Sequence, residues 1–135
     1  MIADTSFIID LLRKDEKAVE KAEELEKNNK AYSLSSPTVY ELWVGVARSN
    51  SDQKEEILDI INSQIIHSLN QESSLEAGKI QKELIENGER IGHIDGLIAG
   101  IAKKNTGTIL TDNTEEFDRV EGLETKKLHK STTPT

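Results

Sequence analysis

The chain begins with Met1-Ile-Ala-Asp-Thr-Ser-Phe-Ile-Ile-Asp-Leu-Leu12, and this stretch decides the fold that we predict for the rest. Its pattern predicts a short buried strand that ends at Asp4, a turn, and a helix whose N-cap is Thr5 or Ser6. Asp4 would then stand at the carboxyl end of a strand, which is the edge where ligands bind in open α/β sheets. Side chains that join Asp4 at this edge are therefore candidates for the functional site.

Helices and short strands alternate beyond this stretch, which predicts a parallel sheet with helices on both faces. The predicted strands are 31–35, 65–69, 108–111 and 123–128. The predicted helices are 14–29, 38–48 with Ser36 as its cap, one capped by Ser51-Asp52, 73–87, one from about Ile94, and 114–120. The helix 38–48 should bury Val39, Leu42, Trp43, Val46 and Ala47, and the helix 73–87 should bury Leu75, Gly78, Ile80 and Leu84. Small residues at Gly96, Ala99 and Gly100 permit close helix packing.

The length of 135 residues suits one domain, which we place at residues 1–129, with a frayed tail at 130–135. Hydrophobic residues make up 35% and charged residues 31%, as in soluble globular domains. No apolar run approaches the roughly 18 residues of a membrane span. Asp4 and Asp10 interrupt the apolar start, unlike a signal peptide, so we expect a cytoplasmic protein without a membrane partner.

Two further features restrict the chemistry. The chain has no cysteine, so a bound metal must use oxygen or imidazole ligands. The formal net charge of −8 argues against a protein that coats nucleic acid, because such binding depends on Lys and Arg. An enzyme that holds a short nucleic-acid segment through a local basic rim is still compatible with this charge.

Four acids stand at strand ends or helix starts: Asp4, Glu41, Asp95 and Asp112. In a parallel α/β sheet these positions share one edge, so the four carboxylates could converge. Clustered carboxylates raise one another's pKa unless a cation keeps them ionised, and Mg²⁺ or Mn²⁺ suits such oxygen ligands. This site chemistry fits phosphodiester hydrolysis. For any single acid, a capping or helix-dipole role explains the position equally well, so the interpretation depends on the set.

Other polar residues have simpler explanations. His67 and His93 are more readily structural than catalytic. Trp43 fits core or dimer packing better than stacking on RNA bases. Five cationic residues could form a basic rim that holds phosphates, but positions at solvated helix ends explain them almost as well. They are Arg13, Lys14, Arg90, Lys103 and Lys104. An Asp-x-Asp phosphatase would need an acid at Ser6, and a receiver domain would need an aspartate in 65–70.

Four segments together resemble the PIN domain, in particular the VapC-type toxins of toxin–antitoxin pairs. They are IADTSFIIDLL, SSPTVYELWVGVAR, GERIGHIDGLIAGIAKKN and TILTDNTEEFDRVEGLE. The resemblance implies a three-layer α/β/α fold around a short parallel sheet of about four to five strands. It further implies a Mg²⁺-dependent endoribonuclease, with Mn²⁺ as a substitute, acting on single-stranded or structured RNA. A VapB-type antitoxin would silence it, DNA would be contacted only through that antitoxin, and a homodimer is expected.

The resemblance also assigns site residues. Asp4 matches the first acid of the family, Glu41 the acid of the segment Glu41-Leu-Trp-Val-Gly45, and Asp95 the third acid. The fourth position stays open: either Asp112 is a direct ligand, or Asn113 and Glu116 act through water. Two further polar neighbours are Ser6 and Thr111. The alternative is a degenerate PIN module that binds RNA or protein without cleaving.

Overall fold

The computed structural model describes residues 1–48 and 53–127. The predicted cap at 51–52, the end of the predicted domain at 128–129 and the tail at 130–135 lie outside these ranges. The strands are β1 (Ile2–Ala3), β2 (Leu34–Ser35), β3 (Ile66–His67), β4 (Thr108–Leu110) and β5 (Glu124–Lys126). The helices are α1 (Thr5–Leu12), α2 (Glu16–Lys27), α3 (Ser36–Arg48), α4 (Lys54–Ser63), α5 (Gln71–Glu86), α6 (His93–Asn105) and α7 (Thr114–Phe117). Every element has a predicted counterpart, although most are shorter. None of the described helices is both long and apolar enough to cross a membrane.

The described strands pair in parallel, and β1 lies at the centre of the sheet. β1 pairs with β4 and β4 with β5, while β2 pairs with β3. A bridge between Ile2 and Ser33 joins the two groups, since the Ala3 N–H donates to the Ser33 carbonyl oxygen at 2.9 Å. The resulting order β3-β2-β1-β4-β5 confirms the prediction of a short parallel sheet of four to five strands. The connections diverge on either side of β1, so its carboxyl end is the topological switch point.

Helices cover both faces of this sheet. Ile2 and Ile109 point to one face and pack with residues of α5, α6 and α7. Ala3 and Leu110 follow them in sequence, point to the other face, and pack with residues of α1, α2, α3 and α4. All four side chains are fully buried, as expected for strands covered on both faces. The three-layer α/β/α prediction is confirmed.

Both predicted N-caps near the site are wrong by one or two residues. The N-cap of α1 is Asp4, not Thr5 or Ser6, because Ala3 is the last strand residue and Asp4 keeps an extended backbone. Its Oδ1 accepts a hydrogen bond from the Phe7 N–H at 3.1 Å. At the start of α3, Ser35 Oγ accepts from the Thr38 N–H at 3.4 Å, whereas Ser36 Oγ accepts from the Leu69 N–H at 2.9 Å. Ser36 therefore ties α3 to the segment after β3.

The predicted inward face of α3 is also partly wrong. Leu42 is buried, Val39 and Val46 are half-buried, and Trp43 is 46% exposed. The buried turn of α3 also contains Thr38. Because consecutive helical residues are about 100° apart, a helix that turns Thr38 and Leu42 inward turns Trp43 to its flank. Core packing of Trp43 in this chain is thus excluded, and Ala47 is likewise exposed.

The helix α5 buries a face different from the predicted one. Ile80 and Leu84 are buried as predicted, but Leu75 is 60% exposed and Gly78 is also exposed. The remaining buried positions on this face are Ser73 and Ala77. These four buried residues are three or four positions apart and therefore lie on one face of the helix, whereas Leu75 lies on the opposite face.

Small residues allow α5 and α6 to approach closely, as the sequence predicts. A Cβ added at Gly100 would lie 2.6 Å from Ala77 Cβ and 2.7 Å from the Ser73 carbonyl oxygen. A Cβ added at Gly96 would lie 2.8 Å from Gln81 Nε2. Since Gly100 meets backbone rather than a flexible side chain, the helices themselves would have to separate.

We expect Gly100→Ala to lower the free energy of unfolding by about 1–2 kcal/mol, because overpacking outweighs the better helix propensity of alanine. Gly78→Ala is the matched control on the facing helix, where no described heavy atom lies within 4 Å of the added Cβ. The control should raise the free energy of unfolding by about 0.5–1 kcal/mol. Urea unfolding measures the free energy of unfolding of both variants. An equal increase in the two variants would contradict the close approach of α5 and α6.

Candidate active site

Asp4 lies at the carboxyl end of the central strand and is 3% exposed. Its Oδ1 accepts from the Phe7 N–H at 3.1 Å and from Ser6 Oγ at 2.9 Å. Its Oδ2 accepts from Thr111 Oγ1 at 2.5 Å and from Ser6 Oγ at 2.8 Å. Burial raises the pKa of Asp4, while the donors Thr111, Phe7 and Ser6 act in the opposite direction. The carboxylate is therefore desolvated but firmly oriented.

Thr111 holds Asp4 from the neighbouring strand. The Asp4 N–H donates to the Leu110 carbonyl oxygen at 3.1 Å, which aligns the ends of β1 and β4. The Thr111 hydroxyl donates to Asp4 and accepts from the Asn113 N–H at 2.8 Å. Parallel pairing thus brings the ends of two strands far apart in sequence into one polar cluster.

Glu41 approaches the same edge from α3. Its Oε1 accepts a hydrogen bond from Thr5 Oγ1 at 2.6 Å. Thr5 is the first residue of α1 and follows Asp4 directly. This contact ties the second predicted acid to the residue next to the first.

Asp95 and Glu116 form a hydrogen-bonded carboxyl pair. The pKa of Asp95 is raised to about 7, first by burial and then by the hydrogen bond to Glu116 and the charges of Glu116, Asp4 and Glu41. The hydrogen bond from Asp95 lowers the pKa of Glu116, which also accepts from Asn113 Nδ2 at 2.9 Å and from the Gly92 N–H. Asp95 is therefore the more readily protonated member of the pair.

Asp95 therefore lies within electrostatic range of three other carboxyl groups: Glu116, Asp4 and Glu41. Asp112 stands at the rim with an exposed side chain, and its charge raises the pKa of Asp4. Of the two arrangements left open for the fourth position, the structure places Glu116 against Asp95 and Asn113 against Glu116.

Sequence reasoning missed the backbone contribution of Gly92. The Gly92 N–H donates to Glu116, and a Cβ added at Gly92 would lie 3.5 Å from Asp95 Oδ2. Gln81 Nε2 fixes this segment by donating to the carbonyl oxygens of Ile91 at 2.8 Å and Gly92 at 3.3 Å. A backbone donor has no signature in a single sequence, so no signal was available for it.

The predicted rim cations have mixed positions. Arg90 Nη2 lies 2.9 Å from His93 Nε2 on the exposed segment that leads into α6, close to Gly92. Lys103 instead forms an ion pair with Glu76 at 3.4 Å, which bridges α6 and α5. Arg90 is thus the predicted cation nearest in sequence to the carboxyl pair, and Lys103 has a structural partner.

The oxygen atoms of this site are suitable ligands for a hard divalent cation. They are carboxylate and hydroxyl oxygens, and a protonated Asp95 hydrogen-bonded to Glu116 can give up its proton when positive charge compensates both groups. Within residues 1–48 and 53–127, no three acidic or histidine side chains form a ready-made cage. Mg²⁺ is usually held by a few carboxylates together with water and substrate phosphates, so an open set of this kind fits it.

An apolar groove of about 300 Å³ runs between α1, α3 and α4 and reaches the acidic site at Glu41. Its lining residues are Ile9, Leu12, Arg13, Glu41, Leu42, Gly45, Val46, Gln53 and Ile57. Glu41 thus belongs both to the carboxyl cluster and to the groove.

Comparison with known proteins gives a consistent result. The PIN domain family matches residues 1–123. The tRNA(fMet)-specific endonuclease VapC of Shigella flexneri is 33% identical over 95 residues, which cover 69% of this chain and 72% of that protein. Ribonuclease VapC2 of Rickettsia felis is 33% identical over 102 residues, which cover 74% of this chain and 76% of that protein.

Solved structures agree in fold. VapBC2 from Rickettsia felis, bound to a DNA fragment from its promoter, superposes with a TM-score of 0.80 at 28% identity, covering 93% of this chain and 96% of that chain. VapBC-1 from nontypeable Haemophilus influenzae superposes with a TM-score of 0.79 at 25% identity, covering 96% of this chain and 98% of that chain.

Proposed function

The chain belongs to the PIN domain family and, within it, to the VapC ribonucleases, and on this premise we propose that it is an endoribonuclease toxin. It hydrolyses phosphodiester bonds of single-stranded or structured RNA with Mg²⁺, for which Mn²⁺ can substitute. The observation that carries this proposal is the carboxyl pair of Asp95 and Glu116 at the edge occupied by Asp4 and Glu41. A cluster of this charge is suited to a divalent cation and a phosphate rather than to an apolar ligand.

The chain's own residues hold the reacting groups in place. A divalent cation supplies an activated water and stabilises charge on the phosphate oxygens. Asp4, Glu41, Asp95 and Glu116 would hold it, with Ser6 and Thr111 orienting Asp4. Because the pKa of Asp95 is raised, a bound cation would favour loss of any proton that this carboxyl group holds. No side-chain nucleophile is needed in this scheme.

The RNA would be held locally at the rim. Arg90 is exposed on the segment before α6, where its guanidinium can reach a phosphate beside the carboxyl pair. Because the net charge is −8, we expect few phosphate contacts and a weak dependence of affinity on salt concentration. The exposed position of Arg90 suits both single-stranded and structured RNA.

We further propose that a VapB-type antitoxin binds the groove between α1, α3 and α4. The similar structures from Rickettsia felis and Haemophilus influenzae are those of VapBC2 and VapBC-1. The groove accepts apolar side chains, and Glu41 at its end would attract an antitoxin Arg or Lys that displaces the cation. Contact with DNA would arise only through the antitoxin, and the pair would act in the cytoplasm.

A homodimer would cover exposed apolar side chains. Tyr40 and Trp43 lie one turn apart on α3 and are 64% and 46% exposed, and Ile65 is 70% exposed. Large exposed apolar side chains commonly mark interaction surfaces in small proteins. Dimer packing is therefore the role we propose for Trp43.

The test is an assay of the purified chain on defined RNAs, with Mg²⁺, with Mn²⁺ and with EDTA, in which each cut is mapped. We expect cleavage with either cation and none in EDTA. Adding the small protein that co-purifies from native extract should suppress cleavage. Binding of RNA without cleavage under all conditions would instead indicate the degenerate PIN module.

A further inference from the structure

A chain of buried hydroxyl groups leads to Glu41. Ser35 Oγ lies 3.1 Å from Thr38 Oγ1, and Thr38 Oγ1 lies 3.0 Å from Thr5 Oγ1. Thr5 Oγ1 then lies 2.6 Å from Glu41 Oε1. Ser35 and Thr38 are fully buried and Thr5 is 8% exposed. The chain joins the end of β2 and the first turns of α3 and α1 to a site carboxylate.

The direction of this chain follows from counting protons. An ionised carboxylate only accepts hydrogen bonds, and each hydroxyl has a single proton to donate. Thr5 therefore donates to Glu41 and must accept from Thr38. Thr38 in turn must accept from Ser35, and Ser35 Oγ accepts from the Thr38 N–H at 3.4 Å. The three hydroxyl donors thus all point towards Glu41, and successive hydrogen bonds of this kind polarise one another.

We propose that Thr38 and Ser35 are positioning residues for cation binding by Glu41, although neither contacts that carboxylate. This inference rests on the proposed function. Because the hydroxyl chain commits the Thr5 proton to Oε1, it orients the Glu41 side chain and leaves Oε2 without this hydrogen bond. Glu41 would therefore bind the cation with a side chain whose orientation depends on the Thr38 hydroxyl, two hydrogen bonds away.

Thr38→Val is the decisive variant because valine keeps the shape of threonine and replaces its hydroxyl with a methyl group that cannot form hydrogen bonds. Thr5 then lacks a donor and is free to turn away from Glu41. We expect Mn²⁺ affinity, measured on the full chain by electron paramagnetic resonance titration, to fall about 10-fold, the scale on which outer partners of metal ligands act. Thr38→Ser restores the donor and should bind within about twofold of the parent.

Two further variants separate positioning from stability. Thr108→Val is the matched control, on β4 at the end away from Thr111, and should leave the Mn²⁺ affinity unchanged. Ser35→Ala removes the first donor of the chain and the cap of α3, so it should lower the stability, whereas its Mn²⁺ affinity should lie between those of Thr38→Val and the parent. If Thr38→Val does not fold, the test is whether Ser35→Ala binds Mn²⁺ more weakly than both the parent and Thr38→Ser.

The outcomes are distinguishable. Equal Mn²⁺ affinity in Thr38→Val, Ser35→Ala and the parent, with reduced stability only, would overturn the positioning role and leave the proposed function standing. A parent chain that binds no Mn²⁺ would overturn the proposed function and the positioning role together. Loss of affinity in Thr38→Val that Thr38→Ser repairs supports the inference.

Discussion

Asp4→Asn and Asp95→Asn should each lower the rate of RNA cleavage at least about 100-fold while the chain remains folded, because even outer partners of metal ligands are worth 10–100-fold. Asparagine keeps the volume of aspartate and removes its negative charge. It is also a good N-cap, so Asp4→Asn preserves the start of α1. The loss should appear in single-turnover cleavage and should not be recovered by raising the Mg²⁺ concentration within the soluble range.

Three comparisons sharpen this prediction. Asp59→Asn, an exposed position on α4, is the matched control and should cleave at the parent rate. Glu116→Gln should cost more than Asp112→Asn, because Glu116 contacts Asp95 whereas Asp112 lies at the rim. Parent-like rates in both Asp4→Asn and Asp95→Asn would show that the carboxyl cluster is not the active site.

Asp95→Asn should stabilise the metal-free chain at pH 8 and leave its stability at pH 4 nearly unchanged. The pKa of Asp95 is raised to about 7 in the folded chain, above its ordinary value of 3.8. The folded state therefore binds more protons than the unfolded state between these values, and stability falls as pH rises from about 4 through 7. Each pKa unit corresponds to about 1.4 kcal/mol, and with partial screening by water we expect a gain of about 2 kcal/mol at pH 8.

Urea unfolding in EDTA at pH 4, 6 and 8 measures this effect. Asp59→Asn again provides the control and should follow the parent at each pH. Mg²⁺ at pH 8 should stabilise the parent more than Asp95→Asn, because a ligand that binds only the folded state adds to its stability. Equal pH dependence in the parent and Asp95→Asn would mean that Asp95 is not held among the carboxylates Asp4, Glu41 and Glu116.

The sequence predicted the order of elements and the parallel sheet because both depend on local patterns. The apolar residues Ile2, Ile109 and Leu110 form short buried runs between amphipathic helices, and such alternation permits few topologies. The positions of Asp4 and Asp95 at a strand end and a helix start follow from the same pattern. Their proximity then needs only the rule that these ends share one edge of a parallel sheet.

Other predictions failed where they depended on the rotation of a helix. Trp43 and Leu75 are exposed, although their spacing suggested an inward face. A helix rotated by one residue moves each side chain by about 100°, and only packing against the sheet and its neighbours fixes that rotation. In α3 the buried hydroxyl of Thr38 belongs to the inward face, which apolar periodicity does not reveal.

What the sequence by itself determined, therefore, is the α/β/α architecture, the position of Asp4 at the carboxyl end of a strand, and the acids at the other strand ends and helix starts. Only the tertiary structure decided that Glu116 faces Asp95, that Asp112 stands at the rim, and that a hydroxyl chain from Ser35 reaches Glu41. Periodicity and burial act over a few neighbouring residues and are readable along the chain. Hydrogen bonds between distant elements depend on strand register and helix rotation, which are fixed only when the whole core packs.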